Sequence, residues 1–217
     1  MDGGDSQSQS ARFDLVYGKA EMAFGNEPEP ELAKFVKSSK RRGKALDLGC
    51  GDGRNALFLA RMAYNVTGVD VSNVAVEKLK SIAANKKLSK FLETVHSDAR
   101  NFDYPPNTYD LVVAVTLFDH IPKNDLAPLF EKVAKSIKTD GILFTKVHTI
   151  KDPGRANGSD NASELSWAIQ HYFEQNELRE ILEKKFKIIK YLEYDDQDNT
   201  HGRPHFHNFA VSIAQKL

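Results

Sequence analysis

The chain has one cysteine, Cys50, and one tryptophan, Trp167, in 217 residues. A single thiol cannot close an internal disulfide, so the fold must rest on a packed core, as in a reducing compartment. Charge of either sign is not in surplus: thirty Lys and Arg balance thirty Asp and Glu. Without a global field, neither nucleic acid nor an anionic lipid surface is a natural partner. No apolar run approaches the ~18 residues of a membrane span. The first residues also lack the basic-then-apolar pattern of a signal peptide. No internal repeat and no Gly/Ser/Pro-rich linker divides the sequence. These absences lead to the expectation of one cytoplasmic domain, monomeric or homodimeric, whose partner is a small molecule. A core of this length buries roughly 70% of the unfolded surface.

What the chain has is alternation. Residues 1–11 are largely Gly, Ser, Gln and Asp, which predicts a mobile N-terminal tail. Residues 12–40 read as a helical lid segment. It carries Phe13, Tyr17 and Phe24 in a polar setting, then Gly25-Asn26-Glu27-Pro28, then a helix from Glu29 to Lys37 with Pro30 in its first turn. From residue 41 to 217 strands and helices take turns. Strands are predicted at Lys44–Leu48, Asn65–Val69, Leu92–His96, Leu111–Val115, Gly141–Val147, Lys187–Tyr194 and Phe206–Ala214. Helical patterns occupy Asn55–Met62, Ser72–Asn85, Lys123–Ile137 and Asn176–Lys185. This predicts an α/β fold, a doubly wound, mainly parallel sheet of seven strands with helices on both faces. Between Tyr194 and Phe206 there is no room for a crossover helix. The last two strands therefore form a hairpin, and the final strand runs antiparallel.

The richest local pattern is Ala45-Leu46-Asp47-Leu48-Gly49-Cys50-Gly51-Asp52-Gly53-Arg54-Asn55. A buried strand, a glycine turn and a helix N-terminus together make a nucleotide pocket at the carboxyl edge of a sheet. A dinucleotide is one reading, because Asp70 ends the second strand about twenty residues on. The glycines, however, run Gly-x-Gly-x-Gly, with Asp47 and Asp52 close by. Carboxylates repel a pyrophosphate and attract an ammonium or sulfonium group. The pattern points to S-adenosylmethionine.

Leu46-Asp47-Leu48-Gly49-Cys50-Gly51-Asp52-Gly53, then Asp70, then Ser97-Asp98-Ala99, resembles the motif set of class I S-adenosylmethionine-dependent methyltransferases. The likeness runs from about Phe13 to the C-terminus and includes the antiparallel last strand. Gly53-Arg54-Asn55, Tyr109-Asp110-Leu111-Val112 and Phe173 before Glu177-Leu178 are most similar to the tellurite-resistance branch. The resemblance implies a Rossmann-like fold and S-adenosyl-L-methionine as cofactor. By position it implies that Gly49, Gly51 and Gly53 let the turn approach the methionine part, and that Asp47 orients its amino group. Asp70 would hold the ribose hydroxyls, and Asp98 the adenine amino group. Ala99 would offer its amide to the ring, while Thr116 and Leu117 would line the methionine and adenosine.

The acceptor must lie beyond the same sheet edge. That edge collects 116–122, 148–163 and the hairpin loop 195–205, with the aromatic segment around Tyr17 as a closing lid. Five of the seven histidines fall there: His120, His148, His201, His205 and His207. Histidine titrates near neutrality and suits proton removal. His120, His205 and His207 are therefore candidate catalytic residues; Tyr17, His148, Arg155 and His201 are candidate substrate contacts. For His201, His205 and His207 three readings stand: loop hydrogen bonding, substrate recognition or base catalysis, and a metal site with Asp195, Asp196 or Asp198. No metal ligand is assigned. Val115-Thr116-Leu117-Phe118 is not the Asn-Pro-Pro-Tyr type of enzymes that methylate adenine or glutamine nitrogen. The sequence thus reads as a methyltransferase acting on a small molecule: a thiol, a metalloid oxyanion or a small O- or N-nucleophile. The alternatives are a partner-recruited protein or RNA methyltransferase and a non-catalytic S-adenosylmethionine-binding module.

Overall fold

A computed structural model describes residues 3–19, 22–155, 165–199 and 204–217. The chain runs α1 (Gly3–Lys19), α2 (Pro30–Ser38), β1 (Lys44–Leu48), α3 (Arg54–Arg61), β2 (Asn65–Asp70), α4 (Asn73–Asn85) and β3 (Leu92–His96). It continues through β4 (Tyr109–Val115), α5 (Lys123–Ser136), β5 (Ile137–His148), α6 (Glu177–Glu183), β6 (Phe186–Asp198) and β7 (His205–Lys216). The seven strands lie in the order β3-β2-β1-β4-β5-β7-β6. The first five are parallel, while β7 is antiparallel to both β5 and β6.

Alternation along the central strands explains the three layers. Ala45, Val113 and Phe144 point to one face and meet Leu32 and Val36 of α2, Leu59 of α3 and Leu79 of α4. Leu46, Leu48, Val112 and Leu143 point to the other and meet Leu129 and Val133 of α5 and Leu178 and Leu182 of α6. Ser72 caps α4 by accepting from the Ala75 amide at 3.1 Å, which is why the helical pattern begins there.

Three boundaries depart from the sequence reading. Helix α1 starts at Gly3, inside the stretch expected to be a mobile tail. Its anchors are tertiary: Asp14 Oδ1 accepts from the Ser72 hydroxyl (2.6 Å) and the Val74 amide (3.1 Å), and the Ser10 hydroxyl donates to the Val71 carbonyl (2.8 Å). A polar sequence with little intrinsic drive becomes helical when tertiary contacts along it tie it down. Strand β5 starts at Ile137, four residues before the predicted Gly141, because Ile137 pairs with Tyr109 ahead of an irregularity in the ladder. The β6–β7 hairpin is also longer, with Asp195, Asp196 and Asp198 paired in the ladder opposite Asn208, His207 and His205. β6 is an edge strand, and an edge tolerates charged residues that a central strand would not.

No helix is long and apolar enough to cross a membrane among the described residues.

Candidate functional site

A cavity of about 480 Å³ opens at the carboxyl edge of the parallel strands, bounded by the glycine turn at one end and by His148, His207 and Phe209 at the other. The turn is fixed by its own amides. Gly49 and Cys50 both donate to the Val69 carbonyl, at 2.8 and 3.0 Å. Gly51 donates to Asp70 Oδ2 at 2.8 Å, and Ser72 to Asp70 Oδ1 at 2.9 Å. Both oxygens of Asp70 are thereby oriented at the cavity wall. Burial raises the pKa of Asp70, against these two amide bonds, with Asp52 adding to the rise.

The glycines have separable jobs. Gly51 adopts φ +53°, and a Cβ there would stand 2.6 Å from the Tyr17 hydroxyl, so it makes room for the Tyr17 side chain. Gly53, at φ +101°, would push a Cβ to 2.1 Å from Leu79 Cδ1. It serves the packing of α3 on α4 and is not on the cavity wall. Asp47 is not on the wall either. It lies 1% exposed behind the turn, with Oδ2 lacking a hydrogen-bond partner. Burial foremost, and then the Asp70 charge, raise its pKa to about 7 despite a bond from the Ala56 amide. The role implied by resemblance, orienting the methionine amino group, is therefore not a direct wall contact in this structure.

Asp47 yields a pH prediction. A carboxyl whose folded pKa is raised contributes stability that is present below its unfolded value near 4 and is lost as pH rises through about 7. Asp47→Asn removes that loss. Denaturant melts at pH 5 and pH 8 should show the variant gaining about 2–3 kcal/mol on the wild type between the two. A difference independent of pH would contradict the assignment.

Further along the cavity, Asp98 is bound by Arg100 through Nη2 to Oδ2 (2.7 Å), Nε to Oδ1 (3.1 Å) and the backbone amide (2.8 Å). Burial pushes the Asp98 pKa up, but these bonds outweigh it and the net direction is down. Arg100 also donates to Asp125 at 2.9 Å and lines the cavity. Asp98 and Ala99 are on the cavity wall, and Asp98 is already engaged by Arg100, a wall residue that sequence reasoning missed. Thr116 sits at φ +49°, a left-handed conformation costly for a β-branched residue. Its amide donates to the Lys146 carbonyl at 2.8 Å, and this sharp exit from β4 brings Leu117 beneath Gly49.

Helix α1 and the residues after it cover the glycine turn. Tyr17 is 6% exposed and on the wall. Asp52 accepts from the Ala23 amide at 2.6 Å, Asn55 from the Glu29 amide at 2.9 Å, and Lys78 Nζ donates to the Tyr17 carbonyl at 2.6 Å. Phe13 stacks against Tyr17, meets His120 edge-on (5.7 Å between centroids) and packs on Trp167 (5.2 Å). Trp167 backs Phe13 from outside the cavity wall, with Arg12 over its ring at 3.7 Å.

The end of the cavity away from the glycine turn holds two buried histidine–carboxylate pairs. His148 Nδ1 bonds Asp119 Oδ2, which also accepts the His148 amide at 3.2 Å. His207 Nδ1 bonds Asp152 Oδ2 at 2.8 Å, and the Asn208 and Gly154 amides bond the same carboxylate. The two rings lie 4.7 Å apart and both line the cavity. Burial, the largest effect, lowers the His148 pKa against the pull of Asp119, so the ring is held neutral. His120 is also on the wall. His205 is buried next to His207, at 4.6 Å between rings, but off the wall. Arg155 is exposed and off the wall; His201 lies outside the described residues.

Lys146 was missed. It is 5% exposed on β5 and on the wall, with Nζ 3.0 Å from Glu29 Oε2, 3.3 Å from Asp196 Oδ2 and 4.0 Å above the Phe209 ring. Its signal was present: a lysine inside the apolar run Ile142–Val147 of a strand buried on both faces.

The seven-stranded sheet with its antiparallel β7, the glycine turn after β1 and the acid at the end of β2 are similar to those of class I S-adenosylmethionine-dependent methyltransferases. Residues 45–141 match the family model described as a methyltransferase domain. Over 96 residues it is 31% identical to the 2-heptyl-1-hydroxyquinolin-4(1H)-one methyltransferase of Mycobacteroides abscessus, covering 44% of this chain and 42% of that protein. Over 103 residues it is 35% identical to the ubiquinone biosynthesis O-methyltransferase of Yersinia enterocolitica, covering 46% and 40%. The chain thus spans less than half the length of either relative. The crystal structure of TehB from Haemophilus influenzae superposes with a TM-score of 0.74 at 20% identity, covering 96% of this chain and 67% of TehB. That likeness is one of fold.

Proposed function

We propose that the protein moves the methyl group of S-adenosylmethionine to an acidic hydroxyl, of the phenol type, on a small molecule with an apolar body. One observation carries this reading: two buried histidine–carboxylate pairs share a cavity with Asp70 and the glycine turn. The donor half fits its ligand, since a turn without Cβ atoms leads to a carboxylate whose two oxygens are already oriented by amides. When bound, S-adenosylmethionine supplies a methyl group on a sulfonium, open to in-line displacement by a nucleophile.

The chain's own residues do the rest. Phe13, Phe24 and Phe209 give the acceptor apolar walls, and Tyr17 closes the lid over the turn, which excludes water. With Nδ1 donating to Asp119, neutral His148 keeps an electron pair on Nε2 for the hydroxyl proton. As the oxygen–methyl bond forms, that proton passes to the imidazole, and Asp119 stabilises the imidazolium. His207, oriented in the same way by Asp152, flanks it. Two relatives whose names specify a hydroxyquinolone methyltransferase and an O-methyltransferase support an oxygen acceptor.

Calorimetry with S-adenosylmethionine, its demethylated product and NAD tests the donor half. The first two should bind, and NAD should not. Turnover over a panel of phenols, thiols and metalloid oxyanions tests the acceptor half. Methylation confined to thiols or metalloids, unaffected by changes at His148, would overturn the oxygen assignment.

A further inference from the structure

We propose that Lys146 sets the acceptor specificity: its ammonium donates a hydrogen bond to a neutral carbonyl oxygen on the acceptor's body, away from the hydroxyl that is methylated. The inference deepens the function proposed above and rests on it.

Lys146 and His148 are two residues apart on β5, so both side chains leave the same face of the sheet, about 7 Å apart at their origins. Phe209 of β7 pairs with His148, and Asp196 of β6 pairs with His207, so the neighbouring strands extend that row. All five residues line the cavity. An acceptor lying along this row with its hydroxyl at His148 brings its far end to Lys146.

A buried ammonium needs a reason. Its transfer out of water is costly, and a methionine would fill the same room in the apolar run Ile142–Val147 without that cost. Seating α2 does not need the charge. Leu32 and Val36 are fully buried beneath that helix, and the Glu29 amide already donates to Asn55 Oδ1.

The two carboxylates about Nζ are unlike. Glu29 is 1% exposed and holds Nζ at 3.0 Å, so it is a fixed partner. The Asp196 side chain is 46% exposed and 3.3 Å away, and an ion pair so open to solvent contributes little. A ligand oxygen displaces it at small cost. The chemistry of that oxygen follows from the charge. Glu29 already cancels the ammonium, so a carboxylate entering here meets an uncompensated negative neighbour. A carbonyl oxygen accepts the hydrogen bond without adding charge. The Phe209 ring, 4.0 Å from Nζ, gives the body that bears it an apolar surface.

The test measures kcat/KM for 4-hydroxyacetophenone, 4-ethylphenol and 4-hydroxybenzoate, with the intact chain at saturating S-adenosylmethionine. The first two differ by a carbonyl against a methylene of similar size. In Lys146→Met the ketone's advantage over 4-ethylphenol should fall by about 10-fold or more, mainly in KM. Taking the same pair through both proteins cancels the ketone's own effect on the hydroxyl. Glu29→Gln keeps the ammonium and removes its balance, so 4-hydroxybenzoate should gain on the ketone, a shift that a purely structural tie would not produce. Circular dichroism and calorimetry with S-adenosylmethionine report whether each variant folds. Where Lys146→Met strands the Glu29 charge and fails to fold, Glu29→Gln/Lys146→Met, which removes both charges, carries the comparison. Three results would each overturn this inference alone: an unchanged ketone advantage in the folded variant, no gain of the benzoate in Glu29→Gln, or no methylation of the ketone by an enzyme that methylates other phenols. Donor binding without methylation of any phenol removes the functional reading, and this inference with it.

Discussion

Asp70→Ala should weaken S-adenosylmethionine binding by about 100-fold or more in calorimetry. The carboxylate is buried at the cavity wall, and each oxygen is held by one amide, Gly51 at 2.8 Å and Ser72 at 2.9 Å. Its remaining electron pairs are the acceptors available to a ribose diol. Two hydrogen bonds to a charged group contribute about 3–4 kcal/mol together, which sets the expected factor. The alanine also frees the Gly51 amide and loosens the turn, so Asp70→Asn is the sharper variant. It preserves shape and one acceptor, and should lose roughly tenfold. Full affinity in Asp70→Ala would show that the ribose sits elsewhere.

The second large effect falls on the chemical step. His148→Gln should lower kcat by about 10²–10³ and leave the affinity for S-adenosylmethionine unchanged. The ring is the wall group whose Nδ1 is fixed by fully buried Asp119, and glutamine cannot take the proton. Asp119→Asn should act in the same direction, because the tautomer is no longer enforced. The pH profile follows with its sign. The His148 pKa is lowered, so the neutral form already dominates at the ordinary imidazole value near 6.5. Activity should therefore be flat above that pH and fall only below it. An acid limb centred above 7 would assign the base to another group.

The glycine turn and the acids beside it were legible because their determinants are local. The turn, Asp70 and Asp98 each follow directly from the end of a strand, and the strands at Lys44–Leu48 and Leu92–His96 fall where their apolar patterns begin and end. Gly53 and Asp47 show the limit of such reading. A motif names the residues but not which of them face the ligand, and these two serve the helix packing and the buried side of the turn. The acceptor half was legible only as a concentration of histidines. What orients them is distant in sequence: Asp119 is 29 residues from His148, Asp152 is 55 from His207, and Glu29 is 117 from Lys146. Helix α1 escaped for the same reason, since its anchors are Asp14 on the start of α4 and Tyr17 over Gly51.

The most direct test is to incubate the protein with S-adenosylmethionine carrying a labelled methyl group and an extract of small metabolites, and then to separate the products. The label should appear in a small molecule as an acid-stable methyl ether, and that product should be missing with Asp70→Ala and much reduced with His148→Gln. Label in a protein or RNA fraction, or no product while the donor binds at saturation, would contradict a small-molecule methyltransferase.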